Sequence, residues 1–121
     1  MNGIVLFAHG SRDPDWRKPM LAVAERIKQR APETAVRCAY LELTPPTLTE
    51  AAAELLTQGV THLTVVPLFL GVGKHAREDL PRLLDQLQAT YPQVRIHCQP
   101  AVGEQAALIE LLADLALKEA N

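Results

Sequence analysis

Short apolar runs alternate four times with longer segments in which apolar residues recur every three or four positions. Residues 3–8, with Ile4, Val5, Leu6 and Phe7, predict a buried strand. Residues 35–41 predict a second strand, 62–68 a third (Leu63, Val65, Val66 and Leu68 make it the most apolar), and 94–98 a fourth. A helix is expected over about 16–30, with Met20, Leu21, Val23, Ala24 and Ile27 on one face. Pro19 falls in its first turn, where proline is tolerated, and Pro32 follows its end. A second helix is expected over 48–58, opened by Thr47 and Glu50 at capping-box spacing and closed by Gly59. A long loop over 69–77 then leads into a third helix ending near 90, with Leu80, Leu83, Leu84 and Leu87 on one face and Pro81 in its early turn. A fourth helix, rich in alanine and leucine, is expected over 104–118.

Strands that alternate with helices of this length imply right-handed crossovers and a parallel sheet with helices on both faces. The expected architecture is α/β, a four-stranded parallel sheet in the order 2-1-3-4, in one domain spanning 1–121. The last helix carries apolar residues around more than one face, Leu108, Ile109, Leu111, Leu112 and Leu115 among them. Such a helix either lies at the surface as an ordinary amphipathic element or buries part of itself against a second subunit.

Composition narrows the class. Nearly half of the 121 residues are apolar, which excludes a disordered chain. A formal net charge of −2 gives no reason to expect a nucleic acid or an anionic membrane as partner. No stretch approaches the roughly 18 apolar residues of a membrane span. The opening MNGIVLFAHG lacks the basic segment and the apolar length of a secretion signal, so a cytoplasmic location is expected. Cys38 and Cys98 lie far apart in apolar runs and are expected to be buried free thiols.

Candidate chemistry follows from the topology. In open parallel sheets, ligands bind outside the carboxyl ends of the strands, near the point where strand order reverses. His9 lies just past the first strand, Glu42 just past the second, and His75 in the loop after the third. These three strands are neighbours in the expected order and about 4.8 Å apart. Two imidazoles and a carboxylate suit a divalent first-row metal and can also move protons near neutral pH. Ser11 and Arg12 in the first loop, and Lys74 and Arg77 around His75, place positive and polar groups at the same edge. His62 precedes its strand and His97 lies within one, so both are expected to be structural or surface residues. Gly71 and Gly73 lack the third glycine of a dinucleotide loop and the Gly-Lys-Ser/Thr of a P-loop.

These residues carry a family resemblance. The run Phe7-Ala8-His9-Gly10-Ser11-Arg12-Asp13-Pro14 resembles the opening motif of the CbiX/SirB-type sirohydrochlorin chelatases. Ala39-Tyr40-Leu41-Glu42 followed by Pro45-Pro46 is similar to their second motif. Val66-Pro67-Leu68-Phe69-Leu70, Gly73-Lys74-His75 and Asp79-Leu80-Pro81 are similar to their third. The resemblance covers the chain in order, in the short single-domain form. It implies a lyase that inserts a divalent metal into sirohydrochlorin: Co²⁺ for cobalamin, Fe²⁺ for siroheme or Ni²⁺ for a nickel cofactor, with the metal as substrate and no organic cofactor. His9, Glu42 and His75 are then the expected metal ligands and catalytic groups. Ser11, Arg12, Lys74 and Arg77 are expected to bind the carboxylates of the macrocycle. Longer relatives contain two such halves, which implies a homodimer here, with the tetrapyrrole between subunits.

Two other readings compete. Ala8-His9-Gly10 is close to the Arg-His-Gly motif of histidine phosphatases, but alanine replaces the arginine that would bind phosphate. The same three ligands can also serve a metal carrier or sensor that never meets a tetrapyrrole.

Overall fold

A computed structural model describes residues 1–120. Its four strands are β1 (Asn2–Ala8), β2 (Ala35–Tyr40), β3 (His62–Pro67) and β4 (Arg95–Cys98). Its four α-helices are α1 (Lys18–Arg30), α2 (Leu48–Thr57), α3 (Lys74–Thr90) and α4 (Ala106–Ala120). The strands form one parallel sheet in the order β2-β1-β3-β4, as the alternation predicts. Side-chain alternation divides the sheet into two faces. Val5, Phe7, Ala39, Leu63 and Val65 point into the larger core, which α2 and α3 close. Leu6, Val36, Cys38 and Tyr40 point to the other face, where α1 packs on β1 and β2 with Ala24, Met20 and Ile27.

Local chemistry sets the element ends. Thr47 accepts a hydrogen bond from the Glu50 backbone N–H, and Glu50 accepts one from the Thr47 N–H, completing the expected capping box of α2. Gly59, at φ +95, follows the end of that helix in the left-handed region that glycine favours.

The structure also revises several sequence expectations. Residues Pro14–Arg17 form a 3-10 turn, so α1 starts at Lys18 and Pro19 is its second residue. The face of α1 is narrower than its periodicity suggests: Leu21 and Val23 are exposed because they flank the Met20, Ala24, Ile27 stripe. Helix α3 begins at Lys74, so His75 sits in a first helical turn and not in a loop. Pro81 therefore lies inside α3, where it removes a backbone donor. Cys38 is buried as expected, but Cys98, on the edge strand β4, is only half-buried.

Helix α4 does not close the sheet. It packs against the 3-10 turn Val102–Glu104 that precedes it, and residues 109–119 are all exposed.

Candidate functional site

The carboxyl edge of the sheet is built by backbone pairing that continues past the strands. The Leu41 N–H donates to the Ala8 carbonyl at 2.9 Å and the Glu42 N–H to the His9 carbonyl at 3.0 Å. His9 and Glu42 are thus held side by side by main chain. Gly10 makes this approach possible: at φ +107, a Cβ on it would lie 1.8 Å from the Glu42 carbonyl oxygen. The Thr44 N–H donates back to the Glu42 carbonyl at 2.9 Å, closing a tight turn around Leu43 at φ +70. A leucine in that region is strained by about 1–2 kcal/mol, and this strain sits directly behind Glu42.

Phe69 packs beneath His9. It is 1% exposed. Its ring meets Phe7 edge-on at 5.9 Å and lies 4.4 Å beneath the His9 imidazole, tilted by 36°. His9 is itself exposed, so the buried ring limits its orientation without removing it from solvent. On the far wall, Gly73 adopts an extended conformation and starts α3, which places Lys74 and His75 in the helix's first turn.

These elements enclose an open cavity of about 490 Å³ lined by His9, Leu41, Glu42, Gly73, Lys74, His75, Ala76 and Asp79. The three residues singled out by topology share this cavity with Lys74. Asp79, one turn beyond His75 on α3, adds a second carboxylate that sequence reasoning did not select. Its spacing of four from His75 was the available signal. Among the described residues, no three His, Cys, Asp or Glu side chains stand close enough to hold a metal ion together. The donors line one cavity without forming a closed coordination shell.

The other expected substrate contacts are distributed differently. Arg77 lines a neighbouring, largely apolar cavity of about 390 Å³ with Phe69, Val72, Leu80, Leu84 and Cys98. Ala76 borders both cavities, so Arg77 lies next to the site. Burial pushes the Cys98 thiol up from its ordinary value, which keeps it a neutral wall group at neutral pH. Ser11 accepts a hydrogen bond from the Asp13 N–H at 3.1 Å and shapes the first loop, and Arg12 is exposed beside it. Arg17 donates to the Thr44 hydroxyl at 3.1 Å, tying that loop to the one carrying Glu42. His62 opens β3 at the opposite edge of the sheet, and His97 is exposed on β4, both away from the cavity.

A four-stranded parallel sheet whose carboxyl edge carries a cavity lined by two histidines and a carboxylate defines a class of small α/β proteins with their site at the sheet edge. The chain belongs to the CbiX family, whose model matches residues 3–119. It is 30% identical over 118 residues to a sirohydrochlorin cobaltochelatase of Sulfolobus acidocaldarius, covering 98% of this chain and 92% of the relative. It superimposes on a CbiX protein from Marinobacter aquaeolei VT8 with a TM-score of 0.83 and 33% identity, over 99% and 98% of the two chains. It is also similar to the sirohydrochlorin chelatase SirB from Bacillus subtilis subspecies spizizenii, solved in complex with cobalt. That TM-score is 0.73 at 30% identity, and the match takes in 91% of this chain but 47% of SirB. No described helix is long and apolar enough to cross a membrane.

Proposed function

We propose that this chain is a sirohydrochlorin chelatase, inserting a divalent metal into the tetrapyrrole. The observation that carries this reading is the shared cavity of His9, Glu42 and His75 at the carboxyl edge of the sheet. The metal is substrate, not resident cofactor. Co²⁺ is the foremost candidate on the similarity to a cobaltochelatase and to SirB solved with cobalt, and Fe²⁺ and Ni²⁺ are alternatives, because the donor types alone do not select among first-row ions. The macrocycle is expected between two copies of the chain in a homodimer.

The geometry suits transfer. An ion that must leave for four ring nitrogens is best met by donors that touch it singly and let it go. His9 and His75 deliver the ion, with Glu42 as a third donor or as a proton acceptor. Metal entry displaces two pyrrole protons, and an exposed imidazole or carboxylate beside the ring accepts them near neutral pH. Lys74 at the cavity, with Arg77, Arg12 and Ser11 around it, meets the substrate's peripheral carboxylates.

The test is anaerobic metal insertion followed by absorbance, with cobalt, ferrous iron and nickel in turn. Protein-dependent acceleration is expected, together with its loss in His9→Ala and His75→Ala. Both positions are exposed, so the variants should keep the wild-type fold by circular dichroism. Normal turnover in His75→Ala would overturn the site assignment. Tight metal binding without any acceleration would favour the carrier reading.

A further inference from the structure

Glu42 enters the cavity from a strained turn. The Thr44 N–H donates to the Glu42 carbonyl, two residues back, at 2.9 Å, which makes Glu42-Leu43-Thr44 a γ-turn. Leu43 at its centre has φ +70, the rare and strained form of that turn. Leu43 is also 52% exposed, so packing does not hold it there. Strain of this kind persists only where the surroundings over-determine it. Something outside the turn must hold it.

Main chain holds the base of the loop. The Leu41 and Glu42 N–H groups bond the Ala8 and His9 carbonyls, and the Tyr40 N–H bonds the Pro46 carbonyl at 2.9 Å. The tip is different. Among the described residues, Leu43, Thr44 and Pro45 make no main-chain hydrogen bond to anything beyond this loop. What reaches the tip is a side chain. Arg17 donates from Nη1 to the Thr44 hydroxyl at 3.1 Å, across 27 residues of sequence. Both residues are half-buried.

Arg17 is itself well anchored. The Asp13 carboxylate accepts the Asp15 N–H at 2.9 Å, and the Asp13 carbonyl accepts the Trp16 N–H at 3.1 Å. These bonds fix the 3-10 turn that ends in Arg17. Trp16 lies against Tyr40, ring centroids 6.1 Å apart, which seats the turn beside the end of β2. Lys18 pairs with Asp15 and Arg37 with Glu54, but among the described residues Arg17 has no carboxylate partner. Its hydrogen bond goes to Thr44, and a charged donor makes that bond stronger than a neutral one.

We infer that Arg17 is a positioning residue for Glu42: its bond to Thr44 holds the strained turn, and the turn keeps the Glu42 side chain in the cavity with His9. The first loop then supplies His9 from its start and the brace for Glu42 from its end. This inference rests on the role given to Glu42 in metal insertion, and adds to it a residue that touches neither metal nor macrocycle.

The test uses full-length Arg17→Met and Thr44→Val, which remove the donor and the acceptor separately, and Thr44→Ser, which keeps the acceptor. Amide exchange by NMR reads the turn without any substrate. In both disruptive variants the Glu42 and Thr44 amides are expected to exchange about tenfold faster, the size of a lost charge-assisted bond, with the strand amides unchanged. In cobalt insertion the same two variants are expected to lower kcat about tenfold or more, as misplacement of a reacting group does. KM for sirohydrochlorin is expected to stay at its wild-type value, and Thr44→Ser to restore both readouts. In a Glu42→Gln background, Arg17→Met is expected to cause no further loss, because the two changes act through one group. Unchanged exchange at Glu42 and Thr44 in Arg17→Met would overturn the inference. So would a raised KM in Arg17→Met with Thr44→Val normal, which would make Arg17 a direct substrate contact. A wild type that inserts no metal would overturn the chelatase reading, and the exchange data would still decide whether Arg17 holds the turn.

Discussion

At the scale of single residues, the site depends on backbone as much as on its titratable side chains. His9 and Glu42 owe their adjacency to the hydrogen bond from the Glu42 N–H to the His9 carbonyl, and that contact is open only because position 10 lacks a side chain. Gly10→Ala would force a Cβ to within 1.8 Å of the Glu42 carbonyl, at a positive φ that alanine resists. The loops must separate, at a cost of roughly 1–3 kcal/mol for the strained conformation alone. The expected outcome is a lower midpoint in urea unfolding and metal insertion reduced at least tenfold in the remaining folded protein. Unchanged activity would mean that His9 and Glu42 need not be neighbours.

At the scale of elements, α2 shows how a sequence signal becomes stability. Replacing Thr47 removes the acceptor for the Glu50 N–H, and loss of such a cap costs about 1 kcal/mol. Thr47→Ala is therefore expected to lower the thermal midpoint by about 4–5 °C, read by circular dichroism. The cap also carries a pH signature. Accepting the Thr47 backbone N–H, and then the Thr47 side chain, holds the Glu50 carboxyl below its ordinary value of 4.5. A group lowered in the folded state stabilises it fully above the ordinary value, and the contribution fades as pH falls through the lowered one. Glu50→Gln is thus expected to weaken the protein at pH 7, with the difference from wild type fading as pH falls from 4.5 through the lowered value. A constant difference across that range would show that the bond does not depend on the charge.

The elements also show how much was legible in the sequence. The strand order, the α2 cap and the placement of His9 and Glu42 follow from local periodicity and a topological rule, so they could be read directly. The start of α3 could not. Residues 69–77 contain Gly71 and Gly73, which signal a loop. The first helical turn of Lys74 and His75 has no side-chain cap to announce it. Phe69 escaped notice as the ring beneath His9 because a phenylalanine after an apolar strand reads as core, which it also is. Asp79 was hidden inside a family motif whose histidine drew attention first. Leu21 and Val23 looked buried because periodicity marks a face, whereas the width of that face depends on what lies opposite.

At the scale of the whole molecule, the exposed apolar arc of α4 leaves the fold unfinished as a single copy. A single copy that exposes Leu111, Leu112 and Leu115 leaves apolar surface in water. If two chains complete each other, stability belongs to the pair and must vary with concentration. For a dimer that unfolds to separate chains, a hundredfold rise in concentration adds about 2.7 kcal/mol per mole of dimer. Unfolding entropy near 2.1 cal/mol/K per residue, over two chains of this length, turns that gain into a rise of roughly 5 °C in the thermal midpoint. Scans of the wild type from micromolar to a hundred times that concentration are expected to show this rise. The helix variant Leu112→Lys with Leu115→Lys is expected to show little or none, because its chains unfold independently. A wild-type midpoint that stays fixed across the series would mean that one copy is complete without a partner.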